Sequence, residues 1–213
     1  MRKSMLFTFF VLAALLWTMP AEKAEAAPTL TVGSQVGDVW DVQFRLNMLG
    51  YYPQPLDGVY GIGTANAVRR FQQDYGLHAD GVTGSQTWRA LRLHSVNQAE
   101  LEILAKTVYS EARGESYTGQ VAVAAVVMNR VKSSQFPNNV KDVVFQPRAF
   151  TAVDDGQYYL TPNRLAYQAA IDAIRGWDPS KGALYYFNPD TATSAWIWSR
   201  PQILKIGKHI FCS

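Results

Sequence analysis

The sequence predicts a small three-helix all-α module at the N-terminal end, followed by an α+β domain. Three observations carry this expectation. An internal echo lies between Val36 and Leu93: Asp57-Gly58-Val59-Tyr60-Gly61-Ile62-Gly63-Thr64 with Ala67, then Asp80-Gly81-Val82-Thr83-Gly84-Ser85-Gln86-Thr87 with Ala90. Both fit D-G-V-x-G-x-x-T-x-x-A. Apolar residues then recur at helical spacing as far as Ile174, and beyond that point short apolar runs take over. Helices first and strands last is the order of an α+β domain.

The elements follow in order. Arg2 and Lys3, the apolar run Met5 to Met19 and the small-x-small site Ala24-Glu25-Ala26 read as a signal peptide over 1–26. Pro20 stops the run short of spanning length, and no other stretch is long and apolar enough to cross a bilayer. An exported chain without an integral membrane span after cleavage is therefore expected. In the module, bounded at 34–93, Val39, Val42, Leu46 and Leu49 form a stripe that ends at Gly50. Ala67, Val68, Phe71 and Tyr75 do the same up to Gly76, and Thr87, Trp88 and Leu91 make a short third helix. The Asp-Gly pairs are tight turns in which glycine supplies a positive φ. Tyr51, Tyr52 and Tyr60, close to those turns, are expected as exposed aromatics that touch a ligand.

Residues 94–98 read as a short polar linker, and 99–213 as the second domain. Leu101, Leu104, Ala105, Val108 and Ala112 give its first helix, closed by Gly114. At about 100° per residue, Glu111 falls beside the Leu101, Leu104, Val108 stripe. Past the cleavage point Glu occurs only at Glu100, Glu102, Glu111 and Glu115, and the first two suit the positive end of a helix dipole. Glu111 is thus either a partly desolvated proton donor or a structural carboxylate paired with Arg113 or Arg130. The residues alone leave both open. Glu115 falls past the helix end.

Val121 to Val131 is apolar on every side and is expected to be a central buried helix. Thr161-Pro162 reads as cap and first turn of a helix through Leu165, Ala169 and Ile174. Ala183-Leu184-Tyr185-Tyr186-Phe187, Ala195-Trp196-Ile197-Trp198 and Ile203-Leu204-Lys205-Ile206 read as short strands, and Gly207-Lys208 as a hairpin turn before His209-Ile210-Phe211.

Composition excludes several classes. A formal net charge of +3, dispersed along the chain, gives no footprint for nucleic acid. Cys212 is the only cysteine, so no intramolecular disulfide forms. His78, His94 and His209 are scattered without metal-ligand spacing, so neither a protein-bound metal nor a cofactor is expected. The excess is aromatic, with 6 Trp, 11 Tyr and 10 Phe, more flat apolar surface than a core alone requires. Tyr185, Trp196 and Trp198 are candidates to stack on sugar rings.

Two resemblances add a role. Gln43-x-x-Leu46-x-x-Leu49-Gly50-Tyr51, Leu56 to Gly61, Ala67-Val68-x-x-Phe71-Gln72, Asp80-Gly81-Val82 and Gly84-x-x-Thr87-Trp88 closely resemble the three-helix peptidoglycan-binding module of many wall hydrolases. Tyr109-Ser110-Glu111-Ala112-Arg113-Gly114-Glu115 and Gly119 to Arg130 resemble the catalytic domain of spore cortex-lytic enzymes. So do Val144 to Pro147, Phe150-Thr151-Ala152-Val153, Gly182 to Pro189, Trp196-x-Trp198-x-Arg200 and Ile206-Gly207-x-His209-x-Phe211. One departure is Arg148-Ala149, where family members often carry Gly-Gln.

The resemblance implies a lysozyme-like, resuscitation-factor-like α+β catalytic domain that cleaves glycan strands of peptidoglycan during germination, with Glu111 as catalytic acid. It implies peptidoglycan as partner, an accessory spore protein, and a location at the spore cortex or inner membrane surface, or in the wall. Tyr109, Glu115, Phe150, Thr151, Tyr185, Trp196, Trp198 and Arg200 are the substrate-binding candidates. Glu111 is expected to protonate the oxygen between muramic acid and N-acetylglucosamine and then to act as base while the C6 hydroxyl closes an anhydro ring. Hydrolysis with Asp154 or Asp155 as second carboxylate, including action on vegetative wall, is the alternative. A non-enzymatic wall-binding spore protein is the other.

Overall fold

The computed structural model describes residues 27–35, 37–150 and 156–213. The expected signal segment 1–26, and Thr151, Asp154 and Asp155, lie outside the described residues.

Three helices, α1 (Gly37–Met48), α2 (Ile62–Asp74) and α3 (Ser85–His94), enclose a core of Val39, Val42, Leu46, Tyr60, Phe71, Trp88 and Leu91. The repeat has a structural cause. Each Asp-Gly turn is clamped by a buried glutamine of the preceding helix. Gln43 Nε2 donates to Asp57 Oδ1 (2.7 Å), Val59 O (3.0 Å) and Thr64 Oγ1 (3.1 Å), while its Oε1 accepts from Gly58 N (2.9 Å). Gln72 repeats the pattern on Asp80 (2.9 Å), Val82 O (3.0 Å), Thr87 (3.0 Å) and Gly81 N (2.8 Å). The fixed Asp, Gly and Thr positions are the ones these amides need.

Two of the three expected exposed tyrosines are corrected here. Tyr60 is fully buried, and its hydroxyl bonds Gly81 O and Thr83 Oγ1, both at 2.9 Å, joining the two repeats. Tyr52 is also buried, its hydroxyl accepting from Gln43 Nε2 at 3.2 Å. A phenol so placed satisfies its polar tip internally and offers no face to a ligand. Tyr51 is half-buried, edge-on to Phe71 with its hydroxyl donating to Asp74 at 2.7 Å.

The connection between the two cores shrinks to Ser95–Asn97, of which Ser95 and Val96 are buried. Asn97 caps α4 (Gln98–Ala112) in a reciprocal capping box with Glu100. The α1 helix serves both cores. Met48 lies within the second core with Phe44 and Leu49 against it, and Arg175 Nε donates to Met48 O at 2.9 Å. Buried Arg45 donates to Ser95 O at 3.1 Å and pairs with Asp41 (3.1 Å) and Glu100 (3.5 Å).

In the second domain α5 (Tyr117–Lys132) is buried from Gly119 through Met128, as its all-round apolarity predicts. Around it pack α4, α6 (Val140–Val144) and α7 (Arg164–Ile174). Two expectations fail. The α7 cap is Asn163, whose side chain accepts from Ala166 N at 2.9 Å, not Thr161. Ala195–Trp198 is a short helix, α8, not a strand. Its exposed tryptophans rest on Tyr185 and Phe187, while Trp198 N donates to Ser194 O (3.4 Å) and Ser199 N to Ala195 O (3.1 Å), bonds that wind the segment into a turn. The sheet holds β1 (Tyr185–Phe187), β2 (Gln202–Ile206) and β3 (His209–Cys212), antiparallel in the order β1-β3-β2.

The loop before β1 hangs on Asp178, which accepts from Gly182 N (2.7 Å), Ser180 N (2.8 Å) and Asn129 Nδ2 (2.9 Å). Burial pushes this carboxyl up, but the hydrogen bonds outweigh it and hold it below its ordinary value of 3.8. A depressed carboxylate stabilises fully above its unfolded pKa and loses that contribution as pH falls through the folded one. Asp178→Asn should therefore lower the thermal midpoint at pH 7, and the gap to the parent should shrink in melts taken below about pH 4.

Candidate active site

Glu111 lies on the last turn of α4, one turn beyond Val108 and next to Ala112, both buried. The side chain opens into a cleft of about 560 Å³ between the helical layer and the sheet. Ser110, Arg130, Ala149, Phe150, Gln157, Tyr186 and His209 line it, together with Phe187, Asn188 and the stretch from Thr191 to Ser194. Among the described lining residues Glu111 is the one carboxylate.

The sheet supplies the other side of the carboxyl. Tyr186, in the middle of β1 and paired with Phe211, donates its hydroxyl to Glu111 Oε2 at 3.0 Å. Burial raises this phenol well above its ordinary value, and the Glu111 charge and hydrogen bond add to that. The phenol therefore stays protonated and acts as donor. Arg130 is buried behind it. The guanidinium Nε donates to Leu184 O at 2.7 Å, and its plane lies over Phe150 (5.1 Å), Phe136 (5.2 Å) and Tyr185 (5.5 Å). Burial lowers its pKa, opposed by Tyr186, Tyr185 and Glu111. An arginine this far from neutrality keeps its charge. Glu111 is thus held between a phenol donor and a nearby cation, against an aromatic wall.

Of the other expected site residues, Phe150 lines this cleft and Thr151 is outside the described residues. Tyr109 does not line it. Its ring packs on the domain core with Arg113 at 6.0 Å. Tyr185, Trp196 and Arg200 form a stack of their own away from the lining: Tyr185 and Trp196 meet edge-on at 5.2 Å, with Arg200 at 4.8 and 5.4 Å. Trp198 reaches the cleft only through Phe187, 4.7 Å away. Glu115 is corrected from a substrate contact to a turn support. Its Oε2 accepts from Lys208 N at 3.1 Å, and a Cβ on Gly207 (φ 57°) would collide with the same oxygen.

The sequence points to Tyr185, whereas Tyr186 faces the carboxyl and His209 lines the cleft beside it. Strand alternation puts neighbouring residues on opposite faces, so the signal was present, but which face meets α5 is a tertiary fact.

A cell wall hydrolase family model matches residues 114–212, beginning just past Glu111, and a peptidoglycan binding domain model matches 35–91. The spore cortex-lytic enzyme of Bacillus cereus is 43% identical over 249 aligned positions, covering 98% of this chain and 96% of the relative. That of Bacillus subtilis (strain 168) is 40% identical over 267 positions, covering 84% and 88%. Among solved structures, the catalytic domain of Bacillus cereus SleB shares 66% identity over 56% of this chain and 93% of its own, with a TM-score of 0.53. The catalytic domain of the germination-specific lytic transglycosylase SleB from Bacillus anthracis gives 67%, 55%, 96% and 0.53. By overall identity and coverage, the chain belongs to the spore cortex-lytic enzyme family.

Proposed function

We propose that this protein is an exported lytic transglycosylase that cuts cortex glycan strands at the muramic acid to N-acetylglucosamine bond during germination, with Glu111 as acid and then base. The carrying observation is the single described carboxylate in the cleft, gripped by Tyr186 and flanked by Arg130. Hydrolysis with inversion or retention asks for two carboxyl groups across the bond. Closing an anhydro ring asks for one. Glu111 gives its proton to the leaving oxygen as the anomeric bond breaks, then takes the C6 hydroxyl proton as that oxygen bonds to the anomeric carbon. The positive charge that develops on the sugar ring faces the Glu111 carboxylate.

The module over 34–93 binds peptidoglycan, 94–98 joins it to the catalytic region 99–213, and 1–26 directs export. No described helix is long and apolar enough to cross a membrane. Phe150 and Tyr51 remain ligand-contact candidates, and an accessory spore protein that steadies the enzyme before germination fits the same reading. Mass spectrometry of digested cortex tests the chemistry. Muropeptides ending in anhydromuramic acid are expected, and a digest with reducing ends only would overturn the transglycosylase assignment.

A further inference from the structure

His209 occupies the first position of β3 and lines the cleft, yet neither of its ring nitrogens bonds the described protein. The residue is 9% exposed. Nδ1 is sealed away from solvent without a partner, whereas Nε2 is not sealed. The polar atom that His209 presents to the cleft is therefore Nε2.

The ring is held in place from three sides. Tyr186 packs on it edge-to-face at 5.0 Å and 63°. Phe211, on the same face of β3, stands at 6.3 Å. The Gly207-Lys208 turn just before it is pinned by the Glu115 carboxylate on Lys208 N. An orphaned polar atom inside a protein is costly, so a ring fixed in this position needs a reason. Burial pushes the imidazole pKa down, Glu115 opposing and Lys208 adding to the shift. In the neutral ring one nitrogen carries the proton. A proton on Nδ1 would point into sealed, acceptor-free surroundings, while one on Nε2 points where a ligand can sit.

We propose that His209 is a substrate-binding residue whose Nε2–H donates to the acetamido carbonyl oxygen of the sugar seated beside Glu111. This rests on the glycan-cleaving function proposed above. An uncharged donor beside aromatic faces matches an acetamido group, which offers a neutral oxygen and a methyl. The methyl has Tyr186 and Phe150 to rest on, both lining the same cleft. Among the described lining residues the one cation is Arg130, which already faces the Glu111 carboxylate, so an uncharged sugar group is what remains for His209.

The test uses the full chain, His209→Phe and His209→Gln, and glycan strands either fully N-acetylated or chemically de-N-acetylated. His209→Phe keeps a flat ring and removes the donor. It should lower kcat/KM on acetylated strands about 10- to 100-fold, as loss of one hydrogen bond in a closed site does. On de-N-acetylated strands it should change little. His209→Gln, which offers an amide N–H, should recover part of the loss. An equal loss on both strands, or none on either, would overturn the proposal. Wild-type protein that cleaves neither strand would instead overturn the glycan function itself. Should neither variant fold, ¹⁵N chemical shifts of the wild-type imidazole decide. Nε2 should move with N-acetylglucosamine oligomers and not with glucosamine oligomers, and an unmoved or equally moved signal refutes the contact.

Discussion

Glu111→Gln should lower glycan-strand cleavage by about a thousandfold while the protein still sediments with cortex. Loss of a positioned acid–base group typically costs 10²- to 10⁴-fold, and this group is asked to act twice in one turnover. The substitution isolates chemistry from structure. A glutamine still accepts the Tyr186 hydroxyl through its amide oxygen, so the contact at 3.0 Å survives and the fold with it. What disappears is a proton that can leave and return. Wall binding is carried by the module some distance away and should not change. A glutamine variant with more than a tenth of parental activity, measured on the same cortex preparation, would remove Glu111 from the centre of the mechanism.

Arg130→Met should be the most damaging single change to stability near the cleft, at about 2–4 kcal/mol. The Leu184 carbonyl, at 2.7 Å from Arg130 Nε, would lose its donor just where the chain enters β1. The stack over Phe136, Phe150 and Tyr185 would lose its cation, each such contact being worth about 0.5–2 kcal/mol. Methionine fills most of the volume, so the cost is chiefly polar rather than a void. For a chain of this size the thermal midpoint should fall by roughly 4–16 °C. A second readout separates stability from electrostatics. At a temperature where the variant is folded, its activity should still be reduced, because the positive charge facing Glu111 is gone. A variant that melts like the parent would show that Arg130 is peripheral.

The helical parts of this protein are written locally, and the sheet side of its cleft is not. The buried stripes of α1, α2, α4 and α5 follow from spacing alone, and the helical phase that set Glu111 beside Val108 agrees with its place at the cleft. The Asp-Gly repeat announced turns, though not that Gln43 and Gln72 would clamp them from helices. Tyr60 looked like a turn residue open to a ligand because its partners, Gly81 and Thr83, sit a whole repeat away in sequence. Trp196 and Trp198 mimicked strand alternation because a four-residue helix is too short to display a period. Tyr186 and Tyr185 differ only in which face of a three-residue strand meets the helices. His209 carried no motif of a ligand or an acid. Its meaning lies in an unmet valence that becomes visible only once the ring is placed.

The shared use of α1 by both cores has a consequence for how the enzyme samples its polymer. Arg45 and Arg175 bolt the module to the catalytic domain, so anchor and blade keep one fixed separation. A floppy tether would let a bound molecule sweep every bond within its radius, at millimolar effective concentration. A rigid one behaves as a gauge: bonds at the matching distance are met again and again, and the rest are not met at all. Progress along the wall then proceeds by letting go and re-seating. Under the proposed function, the spacing of strands in the wall is then expected to bear on which bonds are cut.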